Sequence, residues 1–519
     1  MRFLALIIYC ITFTPAFSEV DLVIRNGLVY DGSGEPPKLA DIGIEKGRIT
    51  SVAAKIPRGK MTLDVKGMAV APGFIDVHTH AENILSQPKG ENFLRMGVTT
   101  LVLGNCGSSK LNLADFFIQL SERGFSPNIA SLIGHGTIRK QVMGGSIRRP
   151  PTAIELIQMQ EYIEKGMRDG ALGMSTGLIY LPGAFAKIEE LIALSKTVSA
   201  HRGIYVSHMR SEGTNIFMSV NEVCLIASQA KLPAHISHLK LAGKPMWGKN
   251  AQLLNRLDEA RKKGVRLTHD QYAYTASSTS LRQLLPDDVV AGGAAALARR
   301  MGDEAQRVKT FDWMKNRLLF RQRNNYSYVV IAYHKKDNRY NGLNVVEAAR
   351  LRYGKDTLDH QISLIVEIEI NGGASAVFHG MNEDDARAFL IHPYTMFASD
   401  SSVRILNKGI PHPRGYGNAA RFLGHYTRDQ KQLKLEEAVR KLTSLPARTF
   451  QLKGRGMLKA GYAADVVIFD PKEVRDNATF KRPHAYSTGF KYVIVNGRIV
   501  VENDRHNGAG PGQIIRHIR

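Results

Sequence analysis

The sequence predicts an α/β fold, a (β/α)8 TIM-type barrel with a small β-sandwich domain formed by both chain ends and an insertion between strands 7 and 8. Three features carry that expectation. Eight short apolar runs recur through the middle of the chain, stretches of helical period separate them, and metal-binding side chains stand at the ends of several runs. In order the runs are "GFIDVHTH", "TTLVLGNCG", "IASLIGHG", "ALGMSTGL", "GIYVSHMR", "AHISHLK", "VRLTHDQYAY" and "TMFASD". The helical stretches include 153–168, with Ile154, Ile157, Tyr162 and Ile163 on one face, and 251–263, with Leu254, Leu257 and Ala260. An open doubly wound sheet fits less well, because no Gly-rich dinucleotide turn opens the series.

The two ends of the chain share another texture. "VDLVIRNGLVYDGSGEPPKLADIGIEKGRITSVA" and the late "GYAADVVIFDP" through "YVIVNGRIVVEN" are β-rich runs broken by turn signals. The expected division is 19–70 and 451–505 for the two halves of the sandwich, 71–450 for the barrel, and 506–519 for a loose Gly-rich, basic tail. The insertion is expected at about 288–347, where "GGAAALARRMGDEAQRVKTFDWMKNRLLF" is helical and basic, either as a lid or as a passive decoration. Residues 1–18, "MRFLALIIYCITFTPAFS", read as a signal peptide: Arg2, an apolar stretch too short to span a bilayer, then small residues. Export to the periplasm or the medium follows, with no stable membrane insertion after cleavage.

Bulk properties narrow the partners. The formal charge of +23 over 519 residues favours anionic small molecules or an anionic surface over nucleic acid, while most of these charges are as well explained as a solvated basic face with no partner. No basic run interleaved with aromatics argues for nucleic acid. Of the 3 cysteines, Cys10 lies in the signal peptide. Cys106 and Cys224 either pair or leave one with a chemical task; they are no disulfide scaffold.

Alternation of side chains along a strand puts His78 and His80 on one face at the end of the first run. The second run ends in Cys106, the fifth in His208, the sixth in His238 and the eighth in Asp400. Strand ends of a barrel converge on one mouth, so six donors from five strands would meet there. Thiolate, imidazole and carboxylate suit zinc, in number enough for two adjacent ions or for one tight and one weak site. Each donor alone is as well explained as a core or hydrogen-bonded residue; their joint placement is not.

On these residues the chain resembles the amidohydrolase superfamily, and closely its N-acyl-D-amino-acid deacylase (D-aminoacylase) branch. "PGFIDVHTH" carries the superfamily likeness; "GNCG", "GALGMSTGL", "VSHMRSEG", "ISHLK", "YAYTASST" and "HPRGYG" carry that to the branch. Many superfamily members bridge two metals with a carbamylated lysine at strand four. That run has no lysine here, and Cys106 stands where the branch uses a cysteine instead. The resemblance implies a tight zinc on Cys106, His208 and His238. It also implies a weaker second site on His78 and His80, within reach of Cys106 and Asp400, and a general-base role for Asp400. Ala81–Glu82, Leu239 and Ala273 depart from the branch pattern, but none of them removes a ligand.

The implied activity is hydrolysis of an N-acyl-D-amino acid to a carboxylate and a free D-amino acid. For the substrate carboxylate the resemblance offers Lys240, Tyr272, Ser278 and Arg414, Arg414 being equally explained as a structural tie. Selectivity for D substrates comes from the resemblance alone. Arg282 beside Leu284 and Leu285 leaves acidic and hydrophobic side chains both open, and the oligomeric state is not encoded in any motif. The competing readings are another amidohydrolase activity, such as D-dipeptide cleavage or dihydropyrimidinase-like opening of a cyclic amide, and a non-catalytic scaffold.

Overall fold

The structure is a computed structural model that describes residues 19–517; the expected signal peptide lies outside the described residues. All eight runs form strands: Phe74–Asp76, Val98–Leu103, Asn128–Ser131 continued by Ile133–Gly134, Gly173–Gly177, Ile204–His208, Ala234–Ile236, Leu267–Gln271 and Thr395–Phe397. They contain almost no exposed residue, which is why the sequence reads them as apolar runs rather than alternating ones. Each pairs in parallel with the next. Beyond the eighth strand the chain returns to the first. The Asp400 N–H donates to the His78 carbonyl (2.8 Å) and the His80 N–H to the Ser401 carbonyl (2.8 Å).

Helices cover these strands. Ala153–Asp169 begins in a reciprocal cap, Thr152 accepting from the Glu155 N–H while Glu155 accepts from the Thr152 N–H. Its buried face is Met159, Ile163, Gly166 and Met167. The expected face was partly wrong: Ile154 and Ile157 lie in the first turns and point to solvent. The helix Asn250–Lys262 buries Leu253 and Leu257, with Leu254 and Ala260 partly covered.

The two ends of the chain build one nine-stranded sheet, joined where Ala69–Pro72 pairs antiparallel with Val466–Phe469. Its apolar face, including Leu22, Ile24, Ile42, Ile44, Val466, Ile468 and Ile494, forms a core of its own. Residues 506–517, the described part of the expected tail, are not loose. Ile129 donates to the Gln513 carbonyl (2.9 Å) and Ile515 to the Ile129 carbonyl (2.7 Å), so the chain end pairs along the third strand.

The insertion is wider than 288–347. A three-stranded antiparallel sheet of Ser277–Ser280, Val329–His334 and Ala374–Phe378, with the helices around it, fills the interval between the seventh and eighth strands. It packs around Leu281, Val329, Ile331, Ile362 and Ile365. Its first strand places Ser278 and Thr279 on the mouth. Cys106 and Cys224 are both free thiols. No helix among the described residues is long and apolar enough to cross a membrane.

Candidate metal centre and active site

The six expected donors converge. Cys106 Sγ lies 3.3 Å from His78 Nε2, 3.5 Å from His208 Nδ1 and 3.8 Å from His238 Nε2. Asp400 Oδ1 lies 3.2 Å from His80 Nε2 and 3.7 Å from His78 Nε2. Two donor groups therefore share His78, one with Cys106 and His238 and one with His80 and Asp400, and the donor atoms of each lie within 4.8 Å of one another.

Local backbone makes this possible. Cys106, His238 and Asp400 all have positive φ, 52°, 34° and 50°. Non-glycine residues rarely accept this, and such strain collects at functional sites. Gly104 turns the chain toward Cys106 at φ 77°, where a Cβ would stand 2.1 Å from the Leu132 carbonyl oxygen.

Two carboxylates that sequence reasoning missed, buried Asp270 and partly exposed Glu212, aim the imidazoles. Asp270 Oδ2 contacts His78 Nδ1 (3.4 Å) and His235 Nε2 (2.8 Å), while its Oδ1 accepts from the His238 N–H (2.8 Å). Glu212 Oε1 lies 2.8 Å from His238 Nδ1 and also pairs with Lys240. With Nδ1 occupied in both rings, both Nε2 atoms face the Cys106 sulfur. A carboxylate on the far nitrogen fixes tautomer and raises ligand basicity. Burial opposes ionisation of Asp270 and Glu212, yet both are held well below the usual carboxylate range, Asp270 chiefly by His78 and Glu212 chiefly by Lys240. Asp270→Asn should retain the fold and weaken zinc affinity about 10- to 100-fold, read by competition with a chromogenic chelator; unchanged affinity would refute its aiming role.

The donor electrostatics suit a cation. Burial pushes the Cys106 thiol up, but His78 and His208 override it and hold the thiol well below its ordinary range. Burial likewise opposes charge on Asp400, and the Arg414 guanidinium, Nη1 2.9 Å from Oδ2, keeps it ionised. At the end of the first strand, burial lifts Asp76 to about 7 while it accepts from the N–H groups of His78 and Ser399, tying the first strand to the segment after the eighth. His208 Nε2 is buried and has no hydrogen-bond partner. A thiolate, four imidazoles and a carboxylate, with one nitrogen left over, fit zinc.

The mouth opens into a cavity of about 1110 Å³ lined by His80, Cys106, Tyr180, Ser278, Asp400 and Arg414, among others. The four expected carboxylate-binding residues divide. Arg414 and Ser278 line this cavity. Lys240 lines a second cavity and Tyr272 is fully buried, so the weight shifts to the former pair. The Tyr272 ring lies under both cations, 4.5 Å from the Arg414 guanidinium carbon and 5.7 Å from Lys240 Nζ. Arg414 therefore ties into Asp400 and Tyr272 as well as facing the cavity. Tyr180 lies over His208, ring centroids 4.8 Å apart. His135 lies 2.8 Å from Glu190 in the interior, and Arg282 turns toward Glu369 (3.6 Å).

Comparison with known proteins identifies the family. The sequence profile of the amidohydrolase family matches residues 61–501. A D-aminoacylase of Alcaligenes xylosoxydans xylosoxydans is 34% identical over 95% of this chain and 97% of its own length. The N-acyl-D-glutamate deacylase of the same organism is 31% identical over 96% and 97%. A crystal structure of N-acyl-D-glutamate deacylase from Bordetella bronchiseptica, complexed with zinc and a phosphonate inhibitor, superposes with a TM-score of 0.82 at 30% identity, covering 96% of this chain and all of that one. D-hydantoinase, at 14% identity and a TM-score of 0.56, shares the fold alone. The chain belongs to the amidohydrolase family, on its N-acyl-D-amino-acid deacylase branch.

Proposed function

We propose that this chain is a zinc-dependent hydrolase that cleaves the amide bond of N-acyl-D-amino acids, giving a carboxylate and a free D-amino acid. The observation that carries it is a buried thiol with three imidazole nitrogens within 3.8 Å and a carboxylate beside them. Selectivity for the D series rests on the relatives. In this reading the parallel strands of residues 71–450 are a closed (β/α)8 barrel, and 19–70 with 451–505 form a β-sandwich. Export rests on the sequence of residues 1–18.

Cys106, His208 and His238 would hold the tight zinc, and His78 and His80 a weaker one that Asp400 and Cys106 can reach. Bound zinc lowers the pKa of water toward about 7 and polarises an acyl carbonyl. Asp400, kept ionised by Arg414, accepts the proton of the attacking water and returns it to the leaving amine. Ser278 and Arg414 receive the substrate carboxylate from the cavity side, with Lys240 facing the second cavity and Tyr272 fully buried.

A panel of N-acetyl D- and L-amino acids, D-dipeptides, hydantoins and dihydropyrimidines, each with and without zinc, tests the assignment. Zinc-dependent turnover of the N-acetyl-D series is expected to exceed that of the L series by at least about a hundredfold, equivalent to roughly 2.7 kcal/mol in the transition state. Faster opening of cyclic amides, or equal rates on D and L, would overturn it.

A further inference from the structure

The inserted segment closes a second cavity, about 300 Å³ in volume, against the mouth. Thr279 lines both cavities, Tyr180 only the larger and Ile179 only the smaller. The Tyr180–Thr279 hydrogen bond (3.1 Å) stands at this shared wall. Among the ionisable residues lining the smaller cavity, five are cations, Arg210, Lys240, Arg317, Arg321 and Arg323, and the only acid is Glu212.

Three of the cations are engaged. Arg210 pairs with Glu222 (2.8 Å) and Lys240 with Glu212. Arg323 donates to the His379 carbonyl (3.0 Å) and lies over Tyr328. Arg317 and Arg321 have no such polar partner among the described residues, although Arg317 lies over the Trp313 ring (4.7 Å) and is attracted by the more distant Asp287. Among the described residues no carboxylate lies within 4.0 Å of either guanidinium. They stand one helical turn apart, so two like charges share a face. Burial and the neighbouring Arg321 hold Arg317 down to about 10. Half-buried guanidiniums with no carboxylate directly paired to them are costly, and a planar fork is the donor geometry that takes an oxyanion in two bonds.

We propose that this cavity is an oxyanion-binding site, held by Arg317 and Arg321 with Lys240 at its inner end. An anion beside Lys240 competes with Glu212 for the ammonium, and Glu212 also contacts His238, so occupancy is felt at the metal centre. The oxyanion has two sources. It is either a second carboxylate carried by the substrate, a source that rests on the hydrolytic reading above, or a free oxyanion of the phosphate type.

The test titrates zinc-loaded full-length protein with inorganic phosphate by calorimetry. Wild type is expected to bind one phosphate, and Arg317→Met/Arg321→Met to bind it at least about tenfold more weakly. Arg321→Glu, a change at a half-exposed position past the end of its helix, should do the same if the double variant folds poorly. Kinetics separate the sources. If the substrate carries the anion, phosphate raises KM for N-acetyl-D-glutamate but not for N-acetyl-D-leucine, and the variants lower kcat/KM for the former only. If the anion is free, phosphate changes both substrates by one factor and the variants abolish that change. Loss of phosphate binding in the variants upholds the site even where neither substrate is hydrolysed, so the two readings fail separately. Absence of binding to wild type, or equal binding by wild type and both variants as a phosphate on zinc would give, overturns the proposal.

Discussion

Cys106→Ala protein is expected to fold, to lose zinc on dialysis, and to lose kcat/KM by on the order of a thousandfold or more. The thiol is the one donor within 3.8 Å of all three of His78, His208 and His238. Although burial raises its pKa, His78 and His208 hold it well below the ordinary value, which makes the thiol a negative charge among the rings. Without it the group of His208 and His238 loses its thiolate, only the carboxylate of Asp400 remains as an anionic donor beside His78 and His80, and affinity falls. Metal polarisation supplies several kcal/mol of transition-state stabilisation, and ~4 kcal/mol corresponds to about a thousandfold. Cys224→Ala is the matched control. That thiol is free, partly buried and on the helix Ile216–Ala230, remote from the donor set. Retained zinc and near-normal turnover in Cys106→Ala would remove the thiolate from the account.

Asp400→Ala is the second large effect, and it separates chemistry from binding. The carboxylate sits between His80, His78 and Arg414 at the edge of the cavity. Its loss removes the proton acceptor while leaving Cys106, His208 and His238 in place. General acid–base catalysis contributes about 10²–10⁴ in rate. The expected result is a fall of that size in kcat with zinc content preserved. Because Arg414 loses its 2.9 Å partner, Asp400→Asn and a thermal melt belong beside it. Turnover unchanged with metal retained would refute the assignment of Asp400 as base.

How much of this was legible depended on whether the signal was local. Strands buried on both faces read as continuous apolar runs, so all eight stood out, and alternation placed His78 and His80 together before any fold was known. Asp270 and Glu212 escaped notice within "THDQ" and "RSEG". Their work is done through contacts to His78 and His238 that exist only after folding, Asp270 reaching His78 across 192 residues of chain. The insertion was underestimated because its first strand, Ser277–Ser280, is "SSTS", with no apolar residue to mark it. The chain end looked loose because it is rich in glycine, whereas its hydrogen bonds go to residues near 129. For the helix Ala153–Asp169, the period was right and the phase was not. Its first two isoleucines fall on the solvent side, while Leu156 between them packs against the core. Only packing could show that Lys240 faces a second cavity and that Tyr272 is fully buried, whereas Arg414 and Ser278 line the larger one.

The central claim is that Cys106, with imidazoles brought from distant strands, holds a catalytic zinc. Anomalous diffraction at the zinc edge from crystals of the purified protein tests it most directly. The account predicts a peak about 2.3 Å from Cys106 Sγ with His208 and His238 nitrogens at about 2.0–2.1 Å. A zinc-replete crystal with no peak at this sulfur, or with Cys106 turned away from both histidines, would contradict it.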